Sequence, residues 1–288
     1  MRPISLAALW LAVAATGESP PDASVVRDLG DAHVEASAEP SDAVPSPDQV
    51  ARAVIAETSR IARASEVEQV GAAIQRMQRA AGALKDFTAT FYKKEYKGKQ
   101  LPEEKILLKY RAEPRSLYLG WTGDVANGQE VLWQRGWNGE RARAHPGSFP
   151  DFTLNLPTSH YLATRNTRHE IPMAGFDFTI SMFARDLVTG RAKPECVQRA
   201  ADTGPTLLFE VPSRCFELET DKAKCPEMYA FKARLCIHER LGLPNKIQVW
   251  DREDGELRLV EDYGYDAIQV NVGLTDKDFD PDNEAYDF

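Results

Sequence analysis

The feature that most constrains this chain is a change of period at Lys85. In VARAVIAETSRIARASEVEQVGAAIQRMQRAAGAL, Val54, Ile55, Ile61, Val67, Val70, Ile74 and Met77 recur at helical spacing. Ser65, followed by Glu66 and Glu68, has the chemistry of an N-cap, so the stretch predicts two helices divided there, the second ending near Gly82. Beyond Lys85 the pattern alternates. DFTATFYKKEY puts Phe87, Ala89 and Phe91 on one side, KILLKYRAEP does the same with Ile106, Leu108 and Tyr110, and SLYLGWTGD with Leu117, Leu119 and Trp121. Asn138-Gly139 in EVLWQRGWNGERARAH and Asp254-Gly255 in KIQVWDREDGELRLVEDYGYDAIQV are hairpin signals. GFDFTISMFARDLVTGRA interrupts the strands with Phe176, Ile180, Phe183, Ala184 and Leu187 at helical spacing and Gly190 at its end. LLFEVPSRCFELET and MYAFKARLCIHERLG predict a further long hairpin. Helix, strands, one inserted helix and strands again describe an α+β domain with a curved antiparallel sheet.

One face of that sheet is strongly apolar: Phe87, Phe91, Leu108, Tyr110, Leu119, Trp121, Leu235, Ile237, Ile247 and Val249. Lys, Arg and Glu occupy the opposite face. The apolar face is either an ordinary core packed on the helices or, in part, the wall of a cavity. Periodicity does not separate the two.

The ends of the chain speak to compartment. Arg2 precedes an uninterrupted apolar and small-residue run, Ile4 to Ala15, with Val13 and Ala15 fitting a cleavage site. A run that short spans only ~18 Å as a helix, less than the ~30 Å core of a bilayer. Residues 1–17 therefore read as a signal peptide, and no other segment is apolar enough to span a membrane. No cysteine near the cleavage point supports a lipoprotein anchor. Residues 18–49 are rich in Ala, Ser, Pro and acid and lack aromatics, which predicts a flexible acidic leader. Residues 50–288 form the expected single domain, and the protein is expected to be periplasmic or secreted. The net charge of −9 is concentrated in the leader and in the last fifteen residues, leaving the body nearly neutral. No basic stripe interleaved with aromatics points to nucleic acid.

Four cysteines, Cys196, Cys215, Cys225 and Cys236, suggest two disulfides in an exported chain and have poor spacing for zinc. A tight turn near Lys222–Lys224 would hold Cys215 and Cys236 apart, so the expected pairs are Cys215–Cys225 and Cys196–Cys236. His33, His145, His160, His169 and His238 form no ligand cluster and read as surface or capping residues. No nucleophile elbow, phosphate loop, dinucleotide fingerprint or H-E-x-x-H motif occurs. Ser159-His160 and Arg168-His169-Glu170 read as loop polarity, and Glu103-Glu104 and Glu253-Asp254 as solvated turns. No cofactor or metal is expected.

The closing stretch, GLTDKDFDPDNEAYDF, poses a sharper question. Read as a calcium loop from Asp276, it has Pro281 where Gly is needed and Asp287 where Glu is needed. Phe279, Tyr286 and Phe288 instead suit a tail pinned to the domain by its rings.

This tail also resembles the ending of a family of exported bacterial proteins, domain of unknown function 1571. DFTATFYKKEYKGKQLPEEKILLKYRAEPRSLYLGW, NTRHEIPMAGF and ERLGLPNKIQVWD resemble it as well, in the same order, over roughly residues 80–288. The family usually has Pro after the Arg-His step, where this chain has Glu170, and the four cysteines are not attributable to it. The family is similar to the periplasmic carriers that bring lipoproteins to the outer membrane. That resemblance implies a half-open antiparallel β-barrel wrapped over helices, around an apolar cavity that receives acyl chains. The expected lining is Phe87, Phe91, Leu108, Tyr110, Leu119, Trp121, Phe178, Met182 and Phe183. The expected function is non-enzymatic binding of lipid, acyl chains or lipoprotein. An envelope module without a small ligand is the alternative, and a hydrolase of unrecognised type a third.

Overall fold

A computed structural model describes residues 47–149 and 151–288. The signal and most of the leader lie outside the described residues. Eleven strands form one antiparallel sheet in the order β6-β5-β4-β3-β2-β1-β11-β10-β9-β8-β7. The strands are β1 (Asp86–Glu95), β2 (Glu104–Arg111), β3 (Ser116–Trp121), β4 (Glu130–Gln134), β5 (Arg141–His145) and β6 (Leu154–Pro157) in the first half. The second half holds β7 (Val197–Leu208), β8 (Val211–Thr220), β9 (Lys232–His238), β10 (Pro244–Glu253) and β11 (Glu256–Val270). The sheet is two meanders joined where β11 returns to pair with β1, and its edges, β6 and β7, do not meet. The result is the α+β half-open barrel expected.

Two helices cover the inner face of the sheet. α1 runs from Pro47 to Gly82 as one 36-residue helix, so no break occurs at Ser65. A serine flanked by glutamates is tolerated mid-helix when neighbouring turns are good helix formers, as the Ala, Glu, Gln and Arg here are. Val67, Val70, Ala73, Ile74 and Met77 on its second half are buried, whereas Val54 and Ile55 on its first half are exposed. The inserted helix, α3 (Phe176–Ala192), follows a single helical turn, α2 (Tyr161–Thr164). α3 buries Phe176, Ile180, Phe183 and Leu187. Gly190 lies within its last turn and does not cap it, because a Cβ there would come 2.5 Å from the Val197 side chain. Between β6 and α3, residues 158–175 form a strap with little regular structure.

Two strand readings change. The β7–β8 turn falls at Phe209 and Glu210, both at positive φ, inside the LLFEV stretch expected to be one strand. β7 itself was hidden by its polar composition, its Gly204 and its Pro205, features compatible with an edge strand. The Phe209 ring stacks on Tyr92, with centroids 5.7 Å apart. Gly264 makes room for it: a Cβ there would meet the ring at 2.6 Å.

The disulfides differ from expectation. They are Cys196–Cys225 and Cys215–Cys236. The connection between β8 and β9 is not a tight turn but the excursion 221–231, which shifts the register so that Cys215 lies directly opposite Cys236. Cys225, carried out on that excursion, meets Cys196 at the start of β7.

The tail is a packed clasp. Its 3₁₀ turn (Asp276–Phe279) buries Phe279 against Tyr118 and Leu132 on the outer face of β3 and β4, with Leu274, Tyr286 and Phe288 around them. Lys109 binds Asp278 at 2.9 Å and Arg111 binds Asp276 at 2.6 Å. The acids that suggested a cation site are spent on these bases and on capping. Among the described residues, no group of three or more potential ligands is placed to hold a metal ion, and no helix is long and apolar enough to cross a membrane.

Candidate functional site

The inner face of the sheet changes character along β1 and β11. Phe87, Ala89 and Phe91 are apolar, but the same face of β1 continues to Glu95, which is 1% exposed. On β11 the inward positions run Tyr265, Tyr263 and Glu261, the last 4% exposed. Glu95 and Glu261 are register partners across the two strands. Two neighbouring buried carboxylates are costly unless hydrogen-bonded and paired, and this pair recruits its partners from distant segments. Tyr263 donates a short hydrogen bond to Glu95. The Arg168 backbone N–H donates to Glu95 at 3.0 Å. Tyr229 donates to Glu261 at 2.8 Å, and the His169 Nε2 lies 3.0 Å from the same carboxylate. The Arg168 guanidinium contacts Glu261 at 3.4 Å and Glu253 at 3.0 Å.

These groups border a half-open pocket of about 220 Å³ lined by Lys97, Arg168, His169, Tyr229, Val249, Asp251 and Glu261. Burial, and then the Glu261 charge, drive the Tyr229 hydroxyl far above the usual phenol range. It therefore stays protonated and keeps donating. Burial lowers the Arg168 pKa, but Glu253 and Glu261 more than offset it and hold it raised. The arrangement is an internally compensated network with donors and acceptors side by side.

From the pocket, rings lead into the interior. The His169 ring lies 4.8 Å from Phe178 and 6.5 Å from Tyr263. Tyr263 lies 5.6 Å from Phe91, which stacks on Tyr265 at 4.8 Å. Phe87 stacks between Tyr110 at 4.9 Å and Phe176 at 4.5 Å. Phe87, Phe91, Leu108, Tyr110, Leu119 and Phe183 thus share one buried cluster. Trp121 packs on its margin with its indole N–H buried and without a partner. Phe178 and Met182 are half-buried on α3. Of the expected lining residues, only Phe183 borders an apolar crevice, which lies between α1 and strands β8 and β9 and measures about 10 Å³, room for about one water.

Side chains from the β1–β2 and β2–β3 connections, and one of its own, hold the strap across the inner side. Lys97 donates to the carbonyls of Thr164 and Thr167 at 2.8 and 2.9 Å. Arg115 donates to those of Pro172 and Ala174 at 3.0 and 3.2 Å. Arg168 donates to the Tyr96 carbonyl at 3.0 Å. The strap makes no strand pairing with the sheet.

Sequence reasoning missed this polar centre. In the sequence, Arg168 and His169 read as loop polarity and Glu253 as a solvated turn. The available signal was parity: Glu95 and Glu261 stand at positions that point inward on strands whose other inward residues are aromatic. His160, by contrast, caps α2 as expected, its Nδ1 accepting from the Leu162 N–H.

An open antiparallel sheet wrapped over two helices, with a strap across its inner side and a polar pocket beside a ring-lined interior, defines an α+β half-barrel. Within that class, the chain belongs to the family described as protein of unknown function, DUF1571, whose model matches residues 84–288. Among curated proteins, none matches the sequence. Solved structures of similar arrangement include the Mycobacterium tuberculosis lipoprotein LppX, at 11% identity and a TM-score of 0.42, covering 71% of this chain and 96% of that one. The Pseudomonas aeruginosa MucA/MucB complex aligns at 14% identity and a TM-score of 0.43, over 73% of this chain and 59% of that one. A LolA superfamily protein of Nitrosomonas europaea aligns at 12% identity and a TM-score of 0.28, over 73% and 96%. At such scores these likenesses carry no functional argument.

Proposed function

We propose that this is an exported, non-enzymatic binding protein that takes the apolar chain of an amphiphile, a lipid or the acyl part of a lipoprotein, between its sheet and its helices. The observation that carries the reading is the continuity from the half-open pocket, through His169, Phe178 and Tyr263, to the interior at Phe91. A shielded interior reached past a polar mouth suits a molecule with a greasy end and a wet end. The expected lining residues Phe87, Phe91, Leu108, Tyr110, Leu119, Trp121, Phe178, Met182 and Phe183 are the walls of this proposal.

Neighbouring rings cover Phe87 and Phe91, so the described state is closed. A ligand chain must part the strap and α3 from the sheet. Each buried methylene contributes ~0.8 kcal/mol, so a dozen supply about 10 kcal/mol toward opening. The strap is the element to move, because side-chain hydrogen bonds and the Arg168 and His169 contacts hold it and no strand ladder is broken. Two disulfides suit an oxidising compartment, which supports the reading of the chain as exported; residues 1–17 are then its cleaved signal and 18–49 an acidic leader.

The same filled interior favours a second reading, an envelope interaction module with no small ligand. Mass spectrometry of organic extracts, with titration of a fluorescent fatty acid, separates the two. Co-purified lipid or saturable probe binding supports the carrier; absence of both leaves the interaction module.

A further inference from the structure

The pocket has a property that a bare acyl-chain site does not require: each ionic group on its wall already has a polar partner, and all but Lys97 are in ion pairs. Lys97 and Arg168 on its wall are matched in number by Asp251 and Glu261. Arg168 is held by Glu253 and Glu261, at 3.0 and 3.4 Å. Asp251 is held by Lys222, at 2.5 Å. Two carbonyls of the strap occupy Lys97. An ammonium entering here would have to break a carboxylate's pair, and a carboxylate would have to break the Arg168 pairs or draw Lys97 off the strap carbonyls.

A hydroxyl group has no such difficulty, since it donates and accepts at once. A carboxylate has about four lone-pair sites and a guanidinium five N–H donors, so these groups keep hydrogen-bonding capacity beyond their present partners. The Tyr229 hydroxyl, 3.1 Å from the His169 Nε2, gives its one proton to Glu261 and still offers an oxygen lone pair as acceptor. The rings of His169 and Tyr229 give the wall apolar faces, and their centroids lie 6.4 Å apart. The volume, about 220 Å³, falls below the ~300–1,000 Å³ of sites for drug-sized ligands and suits a single compact head group.

We propose that this pocket receives an uncharged head group bearing several hydroxyls, a sugar or a glycerol, while the attached chain enters the interior past Phe178 and Phe91. The assignment rests on the chain-binding reading above and adds the chemistry of the other end of the ligand.

The test holds the chain constant and varies the head. Octyl glucoside, monooctanoylglycerol, octanol, octanoate and octylamine are titrated calorimetrically against the full chain, below micelle-forming concentrations. The glucoside or the glyceride should bind at least fivefold more tightly than octanol, octanoate and octylamine, and whichever of the two is tighter identifies the head group. Tyr229→Phe should erase that margin, with an unchanged far-UV spectrum showing that the fold survives. Equal affinities across the series, or tightest binding of octanoate or octylamine, would overturn the head-group assignment and leave chain binding standing. No binding of any member would overturn both.

Discussion

The Tyr286 ring stacks on Tyr118 with centroids 4.1 Å apart and planes 14° from parallel, fastening the last turn of the chain to the outer face of β3. Lys109 lies between the tail and the sheet, donating to Tyr286 at 3.0 Å and to Asp278 at 2.9 Å. Phe279→Ala should therefore destabilise the whole domain by about 3 kcal/mol, since it empties a buried site. Denaturant unfolding reads this directly. Added calcium should leave the melting temperature where it is; a rise of many degrees would revive a metal role for the tail.

Asp186, on the inner side of α3, accepts the Tyr229 N–H at 2.9 Å and is 5% exposed. Burial pushes its carboxyl up to about 6, against the lowering pull of that N–H and of Arg185. A carboxyl with a raised folded pKa holds its proton more tightly in the native state than in the unfolded one. Its favourable contribution is complete below about pH 4 and is lost as pH rises through about 6. Asp186→Asn should then gain on the parent by roughly 1–3 kcal/mol between pH 4 and pH 7.5. Parallel melting curves for the two proteins would contradict this.

Arg168→Ala removes the cation that faces Glu253 and Glu261 and leaves a buried carboxylate uncompensated. A loss of about 3 kcal/mol is expected, together with faster entry of a fluorescent fatty acid, because the strap loses its anchor on the Tyr96 carbonyl as well. Stopped-flow mixing checks the second effect, and unchanged entry would remove the strap from the path of the ligand.

Trp121→Asp should weaken apolar-probe binding more than it alters the far-UV spectrum, since Trp121 sits at the margin of the core. Equal loss of both would make it an ordinary core residue.

Replacing Cys215 and Cys236 together with alanine should cost about 2–4 kcal/mol. Peptide mapping of the unreduced protein should recover Cys196 with Cys225 and Cys215 with Cys236; any other pairing would contradict the β8–β9 register.

How much of this was legible in the residues differs from element to element. α3, the hairpins at Asn138-Gly139 and Asp254-Gly255, and the apolar face of β1, β2 and β3 all follow from spacing. Local sequence carries such features, because a period of 3.6 or 2 sets which side chains share a face whatever the rest of the chain does. Tail packing was legible too, from three aromatics among acids.

The amino-acid sequence thus determined the reversals at Asn138-Gly139 and Asp254-Gly255, which faces are apolar and, through its motifs, the family. Only the tertiary structure decided that Cys215 faces Cys236, that Glu95 and Glu261 are neighbours, and that Arg168, His169 and Tyr229 converge on them. Those contacts join residues up to 168 positions apart. Their geometry depends on strand register and on the course of an irregular strap, and no local periodicity encodes either one.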